Sequence, residues 1–139
     1  ITAKGLWTNN PEVNFVTVTI DQDENKGPDE AKLAARVTRA FLSVRIDCVQ
    51  CHDDYLGDDL LQMDFHQLAS FFGKADMTAS GIHETDKPYV FKYRGAGETN
   101  AVPPQVPFSA ELLPEEGHPR RRLADWVTHR KIAPLPAPP

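Results

Sequence analysis

The chain has 139 residues, 20 acidic against 15 basic side chains, a formal charge of −5 and 40% hydrophobic content. That length and apolar share suit one domain with a real core and exclude wholesale disorder. The acidic balance excludes nucleic acid as a default partner, because phosphate recognition wants a basic face, and no apolar run approaches the roughly 18 residues of a membrane span.

The chain opens at Ile1 with no initiator Met and no charged-then-apolar leader, which reads as a processed protein or a domain excised from a larger one. Residues 14–20 alternate and are rich in Val, Thr and Ile, so a strand is expected there. Residues 21–27 read as a charged turn. A helix is expected over 28–46, with Pro28 at its first position, Asp29 and Glu30 in its first turn, and Leu33, Val37, Ala40, Phe41 and Val44 at helical spacing. It runs into a cysteine pair at Cys48 and Cys51.

A second helix is expected over 58–72. Leu61, Phe65, Leu68, Ala69 and Phe72 share its apolar face, while Asp59, Gln62, His66 and Ser70 share the polar one. Gly73 ends it. Residues 74–86, with Met77 and His83, read as a polar loop. Residues 89–93 alternate aromatics with Val and Lys and read as a second strand, with 14–20 as a partner for it. Residues 95–114 are loop, with a short edge strand near Val102. A last helix begins at His118-Pro119 and carries Leu123, Trp126 and Val127. The expected class is mainly α with a small β element, a short antiparallel strand pair. Residues 1–132 form one domain and 133–139 a proline-rich linker.

Cys48-Val49-Gln50-Cys51-His52 is the pattern C-x-x-C-H, which reads as attachment of one covalent haem c. Two thiols one turn apart can each add to a porphyrin vinyl group, and the adjacent imidazole then sits beneath the iron as its proximal ligand. The bare pattern leaves rivals open. Cys48, Cys51, His52 and another His could bind zinc, although no second ligand pair accompanies them. A thioredoxin-like pair would sit between a buried strand and a helix. Reduced structural cysteines are the plainest alternative.

The stretch from Thr38 through Cys48, Cys51, His52 and Asp53 resembles the cytochrome-c-like domain of large secreted planctomycete proteins, where a segment R-x-F-L-G-V-x-x-x-C-x-x-C-H-D occurs. Leu68-Ala69-Ser70-Phe71-Phe72 is similar to the family's L-A-A-F-F helix end. The run from Trp7 to Phe15 is similar to its W-x-x-P-x-x-N-F segment, and Arg121 to Thr128 to its R-x-x-L-A-x-W-x-T segment. The resemblance implies a haem-bearing module of a multidomain extracytoplasmic protein. One departure stands out: the family has a second His two places after the haem His, then Pro-Phe, where this chain has Asp54, Tyr55 and Leu56.

The expected fold is thus cytochrome c-like helices bracketing the haem. Phe41, Ile46, Phe65, Leu68 and Phe72, with Leu42, are expected to supply a dry wall around it. Met77 is the first choice for the sixth iron ligand, about 25 residues beyond His52; His83, Met63 and His66 are weaker choices, the last two because they fall off the apolar stripe. Arg45, Lys74, Lys92 and Arg94 are candidates to neutralise the propionates. The expected role is single-electron transfer, to a redox partner protein or an adjacent domain of the same chain. The alternatives are a five-coordinate haem that binds small ligands, as a sensor or peroxidase-like domain, and a haem-free module. Thioether attachment takes place outside the cytoplasm, so the expected location is extracytoplasmic.

Overall fold

The structure, a computed structural model, describes residues 1–21, 27–53, 60–93 and 95–132. The expected linker at 133–139 lies outside them.

Residues 14–20 are not a strand. Pro11 opens a 3-10 turn (Pro11–Val13) that continues into helix α1 (Asn14–Thr17). Pro suits a first helical position because its missing N–H is not needed there. Val13 and Val16, three residues apart, are buried, while Val18 is 64% exposed. The buried set therefore has a spacing of three, and the apparent alternation of Val and Thr carries no sheet.

Helix α2 (Glu30–Val37) starts two residues later than expected. Asp29, not Pro28, sets its start, because the Asp29 carboxylate accepts the Lys32 N–H at 2.9 Å. Leu33, Ala34, Ala35 and Val37 are its buried face. The helix does not run to residue 46: it widens into a π turn (Thr38–Leu42) and stops at Ser43, whose φ of 57° is left-handed. A short irregular link then reaches a 3-10 turn (Asp47–Gln50) that holds the first cysteine.

Helix α3 (Gln62–Ala69) begins where Asp64 accepts the Leu61 N–H at 2.8 Å, and a 3-10 turn (Ser70–Phe72) prolongs it. Gly73 follows in ordinary right-handed conformation. Its lack of a side chain matters for another reason: an added Cβ would lie 2.6 Å from the Cβ of Tyr89.

The stretch read as a polar loop is a hairpin. β1 (Ala75–Thr78) and β2 (Gly81–Glu84) pair antiparallel, Met77 opposite Ile82 and Asp76 opposite His83. The N-terminal segment extends this sheet by one bridge, with Gly5 N–H donating to the Ile82 carbonyl at 2.8 Å. Residues 90 and 91 do form a strand, β3 (Val90–Phe91), but it pairs with β4 (Asn100–Ala101), next to the edge strand expected at Val102. Helix α4 (Pro119–Val127) closes the chain, with Leu123, Trp126 and Val127 buried.

Among the described residues the architecture is therefore mixed: four α-helices and two two-stranded antiparallel sheets. One core joins them, built on Leu33, Val37, Phe65, Leu68, Phe71, Phe72, Ile82 and Trp126. No described helix is long and apolar enough to cross a membrane.

Candidate functional site

Cys48 and Cys51 sit on and just after the 3-10 turn, both exposed and both as free thiols. The Cys51 N–H points back to the Cys48 carbonyl at 3.4 Å. Between them Val49 turns inward and is 1% exposed, so the turn is pinned to the core by one apolar side chain while both sulfurs face outward. Ile46 and Val49, with Leu60, Asp64, Phe65 and Pro107, line a small, mostly apolar pocket. On the outer side, a cleft of about 190 Å3 is lined by Arg45, Asp47 and Cys48. Arg39 and Arg45 lie 3.6 and 3.8 Å from the two carboxylate oxygens of Asp47, so the charged pair of Arg45 and Asp47 borders the first thiol.

His52 is exposed and follows directly. Its Nδ1 lies 2.9 Å from the carbonyl oxygen of Asp53. A carbonyl only accepts, so Nδ1 is the donor of this contact, the arrangement in which a metal-binding imidazole uses Nε2. The donor set, two reduced outward thiols and an adjacent imidazole, has the chemistry that attachment of a porphyrin through two thioethers needs. A preformed zinc site is a different demand, and among the described residues no three His, Cys, Asp or Glu side chains converge in that way.

Helix α3 holds this turn from the side. Gln62 reaches it twice: its backbone N–H donates to the Asp53 carboxylate at 2.8 Å, and its side-chain Nε2 donates to the Gln50 carbonyl at 3.0 Å. His66, expected to be solvated, is 2% exposed. Its Nε2 donates to the same Gln50 carbonyl at 3.1 Å, and its Nδ1 accepts from the Tyr89 hydroxyl at 2.8 Å. Phe91 stacks on the ring at 3.3 Å between centroids, and Phe65 and Tyr93 meet it edge-on. Burial lowers the His66 pKa from its ordinary value, partly offset by the Gln50 contact, and burial pushes that of Tyr89 far up. The pair is thus neutral imidazole and phenol.

The other expected site residues disperse. Phe65, Leu68 and Phe72 are core residues at most 1% exposed, and Ile46 is buried at 5%. Phe41 is 37% exposed. Met77 is half-buried and lines a separate cleft of about 550 Å3 with Leu6, Trp7, Asn14, Thr17 and Ile20; no residue of the 48–52 motif lines it. His83 is exposed and bonded to Ser80 at 3.0 Å. Met63 is 46% exposed. Lys74 pairs with Asp86 and Lys92 is exposed. Arg94, Asp54, Tyr55 and Leu56 lie outside the described residues. Sequence reasoning missed His66 and Gln62 as supports of the motif; the signal present was a polar pair, four residues apart, on the helix next to it.

A family model described as PSCyt2, protein of unknown function (DUF1549), matches residues 1–77, which include the whole C-x-x-C-H turn and end at Met77. No curated protein and no solved structure matches the chain.

Proposed function

The chain belongs to the PSCyt2 family of proteins of unknown function, and we propose that it carries one haem c, bound covalently through Cys48 and Cys51 with His52 on the iron, and passes single electrons outside the cytoplasm. The observation that carries this reading is the state of the turn: two free, outward thiols on a backbone anchored by Val49, followed by an exposed imidazole whose Nδ1 is turned to the Asp53 carbonyl.

When bound, the haem supplies a one-electron iron couple. The chain's own residues do the rest. Cys48 and Cys51 each give a sulfur to a thioether, which fixes the ring against the turn. Exposed apolar side chains on the two elements that bracket the motif, Phe41 and Val44 before it and Leu61 and Met63 after it, offer surface that a porphyrin would remove from water. Arg45, beside Cys48 on the outer cleft, offers a cation to a propionate. A redox partner protein, or a neighbouring domain of a longer chain, would take the electron.

A second reading has its own support. Of the four donors named for the sixth position, His66 is committed to Gln50 and Tyr89, His83 bonds Ser80, Met77 lines the cleft beside Trp7, and Met63, 46% exposed on α3 directly after the motif, is the one that stays open to the ring. This favours a five-coordinate haem domain that binds a small ligand such as nitric oxide or a peroxide.

A pyridine haemochrome spectrum on protein matured with haem-attachment machinery tests the first claim: bands of a doubly thioether-linked haem are expected, and their absence overturns it. Spectra of Met77→Ala and His83→Ala then separate the two readings. An altered spin state in Met77→Ala, or in a parallel Met63→Ala, supports a six-coordinate electron carrier, and high-spin spectra unchanged in all the variants support the open iron.

A further inference from the structure

We propose that His66, with Gln62, is a positioning residue for haem attachment: the two side chains grip the Gln50 carbonyl, inside the C-x-x-C-H turn, and hold both thiols and His52 in the geometry that takes up the ring. The inference rests on the haem reading above.

The Gln50 carbonyl accepts two side-chain hydrogen bonds, from Gln62 Nε2 at 3.0 Å and His66 Nε2 at 3.1 Å. Both come from α3, one helical turn apart. A third bond from the same helix, Gln62 N–H to the Asp53 carboxylate, holds the chain beyond His52. The peptide carrying Cys51 and His52 is therefore fastened on both sides. A 3-10 turn of four residues has too few internal hydrogen bonds to fix itself.

His66 is itself held with little freedom. Tyr89 donates to its Nδ1, Phe91 stacks on one face, and Phe65 and Tyr93 contact its edges. Tyr89 in turn is backed by Gly73, whose missing Cβ admits it. The chain of contacts runs from Gly73 through Tyr89 and His66 to Gln50, so β3 and the end of α3 set the attitude of the attachment turn. A rigidly supported constellation is what two successive bond-forming steps on one ring require. With both ring nitrogens engaged, His66 supports the turn and does not bind the iron.

The test uses the full chain matured with haem-attachment machinery, and reads covalent haem per chain and the ratio of singly to doubly linked haem by intact and peptide mass. His66→Phe keeps the stacked ring and removes both hydrogen bonds. Doubly linked haem is expected to fall about fivefold, the size of one lost buried hydrogen bond, with singly linked product appearing. His66→Gln, which restores a donor toward Gln50, is expected to recover most of the loading. Gln62→Ala, at a partly exposed position, gives the same defect in smaller measure and serves if His66→Phe does not fold. Leu123→Ala, a cavity variant in α4 of the same core, controls for lost stability and is expected to load fully. If wild type loads and the His66 and Gln62 variants load as well, the positioning role is overturned while the haem reading stands. A defect equal to that of Leu123→Ala, without rescue by Gln, overturns it too. If wild type takes up no haem, the haem reading fails and this inference falls with it.

Discussion

Arg120 and Glu84, 36 residues apart, form a buried ion pair, with Arg120 Nε 2.7 Å from Glu84 Oε1 and Nη2 against the same oxygen. Arg120 is 1% exposed, and its Nη1 also donates to the carbonyls of Ile1 and Ala3 at 2.8 and 3.1 Å. His118 Nε2 lies 2.8 Å from Oε2 of the same carboxylate. One guanidinium thus joins the N-terminal segment, the β1–β2 hairpin and helix α4. Arg120→Met leaves Glu84 with only Lys4 at 4.0 Å and His118 at 2.8 Å and is expected to cost about 3 kcal/mol, the low end for breaking a buried pair. Urea unfolding followed by circular dichroism measures it.

Ser43 holds a left-handed conformation, φ 57°, where the π turn ends and Ser43 N–H returns to the Thr38 carbonyl. The similar planctomycete segment has Gly at this place. The left-handed state costs an L-residue roughly 1–2 kcal/mol, against a smaller entropic cost for glycine, so Ser43→Gly is expected to stabilise by about 0.5–1 kcal/mol. A raised urea midpoint with an unchanged slope is the check.

Gly81 is the reverse case. Its φ is 106°, and an added Cβ would lie 2.1 Å from the Gly5 carbonyl oxygen. Gly81→Ala strains the turn and breaks the bridge between Gly5 and Ile82, so a loss of about 3 kcal/mol is expected, the sum of backbone strain and lost hydrogen bonds. Thermal melts and faster exchange of the Ile82 amide would report it.

Two histidines give the fold an acid limit. Burial lowers the pKa of His66, and burial also lowers that of His118, where Glu84 opposes the effect and Lys4 and Arg120 add to it. Both are more readily protonated in the unfolded chain, whose histidines titrate near 6.5. Their contribution is full above that value and is lost as pH falls through and below it. Tyr89 and Tyr93 act at the other end: burial raises both, so the unfolded chain ionises first and stability falls as pH rises past about 10. Urea midpoints are expected to fall below about pH 6.5 and above about pH 10, with the lowered Ile1 amino group and the raised Glu30 carboxyl shaping the range between, and His66→Gln is expected to flatten the acid arm.

The sequence made helix α4, the core face of α2 and the helical stretch that closes at Phe72 legible, because Leu33, Val37, Leu68, Leu123 and Trp126 repeat at helical spacing; C-x-x-C-H is a local signal whose turn the structure describes and whose haem stays a proposal. It hid two things. Residues 14–20 alternate in type, but the burial of Val13 and Val16 is decided by packing and by Pro11, which the alternation obscured. The β1–β2 hairpin carries Asp76, His83 and Glu84, and Glu84 is drawn inward by Arg120, a partner 36 residues away that no local pattern announces. His66 was misplaced for a similar reason. A single apolar stripe assumes one packed side, whereas α3 meets the core on Phe65 and Leu68 and the β3 aromatics on His66.

The most direct measurement is the intact mass of the chain matured with haem-attachment machinery, for wild type and for Cys48→Ser/Cys51→Ser. The expected result is a wild-type mass increased by one haem that survives denaturation, and an unmodified mass for the double variant. A wild-type chain that emerges with the mass of the bare polypeptide, while a known c-type cytochrome made in the same cells is fully loaded, contradicts the assignment.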